Sequence, residues 1–105
     1  AALEVLGQMP GGRKVVVTPG MVELGDQQRT ENFNFGKLAS SVADTLIVVA
    51  KLNRDAIVSG ASEVADGADV IVVDSLTEAT QKLQGLLKPG DVVLFENDLP
   101  DQYEV

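Results

Sequence analysis

Four short apolar runs, Val15 to Thr18, Thr45 to Val49, Val70 to Val73 and Val92 to Phe95, carry no polar alternation, and the segments between them place apolar residues at helical spacing. Pro10-Gly11, Pro19-Gly20, Asp66-Gly67 and Pro89-Gly90 punctuate the boundaries. Continuous β-branched runs mark strands buried on both faces, and strands that alternate with helices are joined by crossovers that set them parallel. These observations predict an α/β fold, a three-layer Rossmann-like sandwich with a mostly parallel sheet, built as a single domain over residues 1–105.

The elements follow in order. Leu3, Val5, Leu6 and Met9 define a helix that Pro10-Gly11-Gly12 stops, so the chain opens inside a helix without a cap. Arg13-Lys14 leads into the first strand, which Pro19-Gly20 ends. Asp26, after Gly25, is placed to cap a helix reaching about Val42, with Phe35, Leu38, Ala39 and Val42 as its apolar stripe. After the second strand, Asn53 is placed to cap a short helix carrying Ala56, Ile57, Ala61 and Val64, with Gly60 near its far end. Ser75-Leu76-Thr77-Glu78 is a capping box, in which serine and glutamate satisfy orphan amides at a helix start. Leu76, Ala79, Leu83, Leu86 and Leu87 form the inward face of that helix, and Lys88-Pro89-Gly90 stops it with a cation near the negative dipole end.

Composition removes several chemistries. The 105 residues include 16 acidic and 8 basic side chains, a net charge of −8, and no His, Cys or Trp. Thiol nucleophiles, Ser-His-Asp triads, zinc fingers and disulfide scaffolds are therefore impossible using this chain alone. An acidic surface repels phosphate backbones and anionic lipid, so neither nucleic acid nor a membrane surface is an expected partner. Apolar runs of this length fall far short of the roughly 20 residues that span a bilayer. The N-terminus shows no basic region followed by an apolar one, which makes the cytoplasm the expected compartment.

In parallel sheets ligands bind beyond the carboxyl ends of the strands. Those ends are Thr18-Pro19-Gly20, the turn from Ala50 to Asn53, Asp74-Ser75 and Glu96-Asn97-Asp98. No Gly-x-Gly-x-x-Gly occurs, and Gly36-Lys37 is followed by Leu38 inside a helix, so there is no nucleotide-cradling loop of either common kind. Asp74 and Glu96 end strands as a magnesium-orienting acid would, but Ser75 caps directly after Asp74, which favours a polar helix start. The loop Thr18 to Gly25 is either a rigid site loop or an ordered connection plugged by Met21, Val22 and Leu24. Asn53-Arg54 is either an anion contact or a surface cap. Glu96, Asp98, Asp101 and Glu104 in the tail either grip an ammonium group or metal or are solvated, with Glu96, Asn97 and Asp98 the better-placed part.

Leu3 to Leu6, Arg13 to Gly25, Gly36 to Ala39 with Ala43-Asp44, Asn53 to Ile57, and Lys88 to Tyr103 together resemble the C-terminal domain of Mur ligases. The Gly-Met-x-Glu-Leu-Gly loop between a strand and a helix, Gly20 to Gly25, is the most specific part. Within the family the likeness is greatest to the ligases that add D-alanyl-D-alanine. The resemblance implies an ATP-dependent, amide-forming ligase of peptidoglycan precursor synthesis. The γ-phosphate of ATP activates a carboxylate of the UDP-linked muramoyl peptide as an acyl phosphate, which the amine of an amino acid or dipeptide attacks. ATP and Mg2+ are then held mainly by a central domain, while the C-terminal domain closes over the site and is not active alone. On this basis Thr18, Pro19, Gly20, Met21, Glu23 and Gly25 are expected at the site edge, and Asn53, Arg54, Glu96, Asn97 and Asp98 as substrate contacts, with no catalytic residue and no metal ligand. The family's first strand of this domain, ending in Asn-Pro, precedes the helix at which this chain begins, so the sheet is expected to lack one strand. Thr18-Pro19-Gly20-Met21 stands where many dipeptide-adding members have Gly-Asp-Met, and Glu96-Asn97-Asp98 where they have Lys-Gly-Ser-Arg. The alternative, drawn from a different class, is a stand-alone acidic Rossmann-like module that binds a ligand or protein without catalysis.

Overall fold

Val15, Val16 and Val17 are essentially inaccessible to solvent, which requires cover on both faces and partners on both edges. In the computed structural model, which describes residues 6–8, 11–19, 25–49 and 54–95, the strand that holds them, β1 (Lys14–Thr18), lies inside an all-parallel sheet. The others are β2 (Thr45–Val48), β3 (Asp69–Val72) and β4 (Val92–Phe95), in the order β3-β2-β1-β4. Val15 pairs with Thr45 on one side and Val93 on the other, and Val17 with Ile47 and Phe95. The connecting helices are α1 (Gln28–Val42), α2 (Arg54–Ser62) and α3 (Leu76–Leu86).

Strand periodicity sorts the side chains into two layers. Val16, Leu46 and Val48 face a core completed by Leu6, by Phe35, Ala39 and Ala43 at α1, and by Ile57 and Ala61 of α2. Val15, Val17 and Ile47 face the opposite core with Val73 and with Ala79 and Leu83 of α3. The architecture is the expected three-layer Rossmann-like sandwich, with α1 and α2 on one face and α3 on the other.

Several local expectations change. Asp26 does not cap α1: it lies in a 3-10 turn (Gly25–Gln27), and the helix starts after Gln27 without a side-chain cap bond. Leu38 is 42% exposed, because the buried face of α1 is made instead by Asn32, Phe35, Gly36, Ala39 and Ser40. Leu76 and Leu87 point outward, at 59% and 36% exposure, since α3 is narrow in its contact with the sheet. β3 and β4 are edges among the described strands and only partly buried, although their sequences read like those of β1 and β2. Strand cores end at Val48 and Val72, with Val49 and Val73 still donating to Thr18 and Val48 carbonyls at 2.8 and 2.9 Å. Leu3, Val5 and Met9 lie outside the described residues, whereas Leu6, at 2% exposure, sits in a helical turn.

The α1–α2 contact depends on two glycines. A Cβ at Gly36 would overlap the Ile57 carbonyl oxygen, and one at Gly60 the Phe33 carbonyl oxygen. The helices thus meet backbone to backbone, and Gly60 is an interface residue with α2 continuing past it to Ser62. At the amino edge of the sheet, Asp44 Oδ2 accepts the Lys14 amide at 2.8 Å, while Asp91 accepts the amides of Arg13 at 2.9 Å and Lys88 at 3.0 Å. Those two backbone bonds hold the Asp91 carboxyl below its ordinary range.

Gly36→Ala or Gly60→Ala should each destabilise by about 1–3 kcal/mol in denaturant titrations despite the better helix propensity of alanine. Gly85→Ala, with open space around its Cβ, should instead stabilise by roughly 0.5–1 kcal/mol. A carboxyl with a lowered folded-state pKa adds stability that is complete above the unfolded pKa and lost as pH falls through the folded one. Asp91→Asn should therefore lower stability at neutral pH and flatten the acid limb below the ordinary value of 3.8, measured as unfolding midpoint against pH.

Candidate functional site

Every helix that follows a strand in this sheet begins at the carboxyl edge. The chain leaves β1 toward α1 on one face, whereas β4 is reached from α3 on the other, so the connections diverge between β1 and β4. A parallel sheet has its binding crevice at such a switch point.

Residues from four places line a depression of ≈ 150 Å³ there: Val17 and Pro19 from the end of β1, Val49 after β2, Leu76 at the start of α3, and Phe95 ending β4. Val17 and Phe95 are register partners and therefore project from the same face. Leu76 and Phe95 are 59% and 54% exposed, and they give the rim an apolar surface open to solvent. Polar groups stand along the same edge. The Arg54 guanidinium, in the first turn of α2, donates to Asp74 Oδ1 at 3.3 Å and so links the start of α2 to the β3–α3 turn.

The β3–α3 turn is built by local hydrogen bonds. Ser75 Oγ accepts the Glu78 amide at 3.1 Å, as a serine N-cap does. Glu78 Oε1 returns to the amide of Asp74, at 3.4 Å, one residue before the cap itself. The capping box is therefore realised with its reciprocal bond displaced by one position. Asp74 is a polar helix-start residue paired with Arg54.

Of the residues expected at the site, Thr18 is buried at the end of β1, Pro19 lines the depression, and Gly25 opens the 3-10 turn before α1. Arg54 stands at the start of α2. Gly20, Met21, Glu23, Asn53, Glu96, Asn97 and Asp98 lie outside the described residues. Val17, Val49, Leu76 and Phe95 were not singled out by sequence reasoning. Their only signal is position, as apolar residues at strand ends or a helix start, and strand order is needed to bring them together. Among the described residues no group of three or more acidic side chains could hold a metal ion, and no helix is long and apolar enough to cross a membrane.

These features define a class: a parallel α/β domain with a switch-point binding edge and no phosphate-cradling glycine loop in its sequence. The family model described as "Mur ligase, glutamate ligase domain" matches residues 1–96, and the chain belongs to that family. No curated protein matches the chain. Family membership makes the chain part of a Mur ligase, an enzyme of peptidoglycan synthesis.

The two polar devices of the edge should separate in stability measurements. Ser75→Ala should cost about 1 kcal/mol through loss of the cap. Asp74→Asn should change stability by less than about 0.5 kcal/mol, since Asp74 is 72% exposed and exposed ion pairs contribute little.

Proposed function

We propose that this chain is the C-terminal, substrate-closing domain of an ATP-dependent amide-forming Mur ligase, and that the carboxyl edge of its sheet faces the reacting groups. The observation that carries the reading is the family match over residues 1–96, beside a switch-point depression at the carboxyl end of the sheet. Such a domain supplies contacts and closure, while phosphate binding belongs to another part of the enzyme.

In the reaction, a carboxylate oxygen of the UDP-linked muramoyl peptide attacks the γ-phosphorus of ATP and ADP leaves. The amine of the incoming amino acid or dipeptide then attacks the acyl carbon, losing a proton as phosphate departs. Mg2+ is read as held mainly by the central domain. For ATP, the apolar rim at Leu76 and Phe95 suits a planar base. The incoming substrate is read as D-alanyl-D-alanine or an amino acid, contacted from Glu96, Asn97, Asp98, Asn53 and Arg54, with Thr18 to Gly25 lining the edge. The domain is read as inactive alone, and the enzyme as working in the cytoplasm.

Kinetics of the full-length ligase test the reading. Asn97→Ala or Asp98→Ala should raise KM for the amine substrate about tenfold and leave KM for ATP within about twofold, as expected for losing one hydrogen bond to a charged group. Unchanged kinetics would remove both residues from the site.

A further inference from the structure

We infer that Asp66-Gly67, in the turn between α2 and β3, is a site of spontaneous backbone modification, where the Asp66 carboxyl closes on the Gly67 amide and reopens as isoaspartyl and D-aspartyl forms. Asp66 alone among the aspartates is followed by glycine. Closure brings the next amide nitrogen onto the carboxyl carbon, and a side chain on that next residue would obstruct the approach. Asp66 is exposed, and among the described residues no hydrogen bond or ion pair engages its carboxylate. The nucleophile is loosely held, since the Gly67 amide donates to the Val64 carbonyl at 3.3 Å, longer than most such bonds.

The step needs no partner molecule but water. In the protonated carboxyl, the Gly67 nitrogen bonds to the carboxyl carbon and gives up its proton as the hydroxyl leaves as water, forming a cyclic imide. Water then opens either carbonyl: one route restores aspartate, and the other leaves the main chain running through the side-chain carbons as isoaspartate. While the imide stands, the proton on Cα is acidic, and its return on the opposite face gives the D form. The fold bears on which form accumulates. Asp66 has φ +55°, the only positive φ outside glycine among the described residues. That region is costly for an L-residue and mirrors the right-handed α region, so a D-aspartyl occupies the turn without the cost. Isoaspartate instead adds a main-chain carbon just before Ala68, whose amide donates to Ser40 Oγ at 2.9 Å and to the Ser40 carbonyl at 3.1 Å. Gly67 is already so close to Ser40 that a Cβ would overlap the hydroxyl, so the added carbon displaces these bonds and loosens the entry to β3.

The test incubates the full-length protein, folded and in denaturant, at mildly acid to neutral pH and then maps its tryptic peptides. Cleavage after Arg54 and Lys82 leaves Asp55, Asp66, Asp69 and Asp74 in one peptide, so the other aspartates serve as internal controls. New forms of that peptide with unchanged mass should appear in the folded sample, with isoaspartate placed at 66 by electron-transfer fragmentation and D-aspartate at 66 by comparison with synthetic standards. Asp66→Glu, which closes a larger ring reluctantly, should abolish them, whereas Asp66→Asn, which loses ammonia in place of water, should form the same products faster. The isoaspartyl protein should lose hydrogen-exchange protection at residues 68–72 and keep it at 15–17. Products confined to the denatured sample, products at Asp69 or Asp74 in place of Asp66, or isoaspartate without D-aspartate in the folded sample would overturn the proposal.

Discussion

A strand with neighbours on both edges and hydrocarbon on both faces has nowhere to leave a polar group unpaired, and β1 is such a strand. Its backbone is shared between β2 and β4, and its side chains divide between the two cores. Where the ladder begins, the amides of Lys14 and Arg13 are taken by Asp44 and Asp91, the lead-in residues of the two flanking strands. Each flanking strand is therefore held to the center by its ladder and by a carboxylate at its start. A one-residue slip of either would detach that carboxylate and turn the apolar side chains to the wrong face. Because β1 is fixed, the point where connections diverge around it is fixed too, and the candidate site lies at its carboxyl end.

The two faces are covered differently. On one side α1 and α2 touch through Gly36 and Gly60, so closely that no side chain fits between their backbones. Ser40 then ties the end of that pair to the next crossover, its Oγ accepting the Ala68 amide at 2.9 Å. On the other side α3 stands alone among the described helices and reaches the sheet through Ala79 and Leu83. Single-helix cover leaves Leu76 and Phe95 exposed at the carboxyl end of that layer, and this is the origin of the apolar rim. The rigid face holds the strands, and the thin face leaves the opening.

What the sequence disclosed follows from which properties are local. The four strands, the three helices, the Ser75 cap and the parallel layered class were legible because β-branched runs, helical spacing and capping chemistry act within a few residues. Edge and center were not, since Val70 to Val73 reads like Val15 to Thr18 and only strand order distinguishes β3 from β1. The buried face of α1 was misjudged because hydropathy favours Leu38 over Asn32, Gly36 and Ser40, whereas close backbone approach selects small residues. At the candidate site, the strand ends and the place of Arg54 at a helix start were legible as the carboxyl edge of the sheet. The depression was not, because Val17, Val49, Leu76 and Phe95 are assembled by pairing across the sheet.

Charge bears on how such an edge works. A chain at net −8 opposes the approach of phosphate-bearing ligands at long range. On the proposed reading, its attraction for them comes from short-range donors: the amides at helix starts and guanidinium groups such as Arg54, in the first turn of α2. That placement works against the helix dipole, which favours anions there, and Asp55 and Asp74 offset the cost from either side. Donors of this reach act only on a ligand already brought close. On the proposed reading, the central domain performs that capture with its phosphate loop and metal, and this edge contributes once the domains have closed. Weak attraction at a distance and directional contact at hydrogen-bond range would, on that reading, suit a domain that also reopens to release ADP, phosphate and the lengthened peptide.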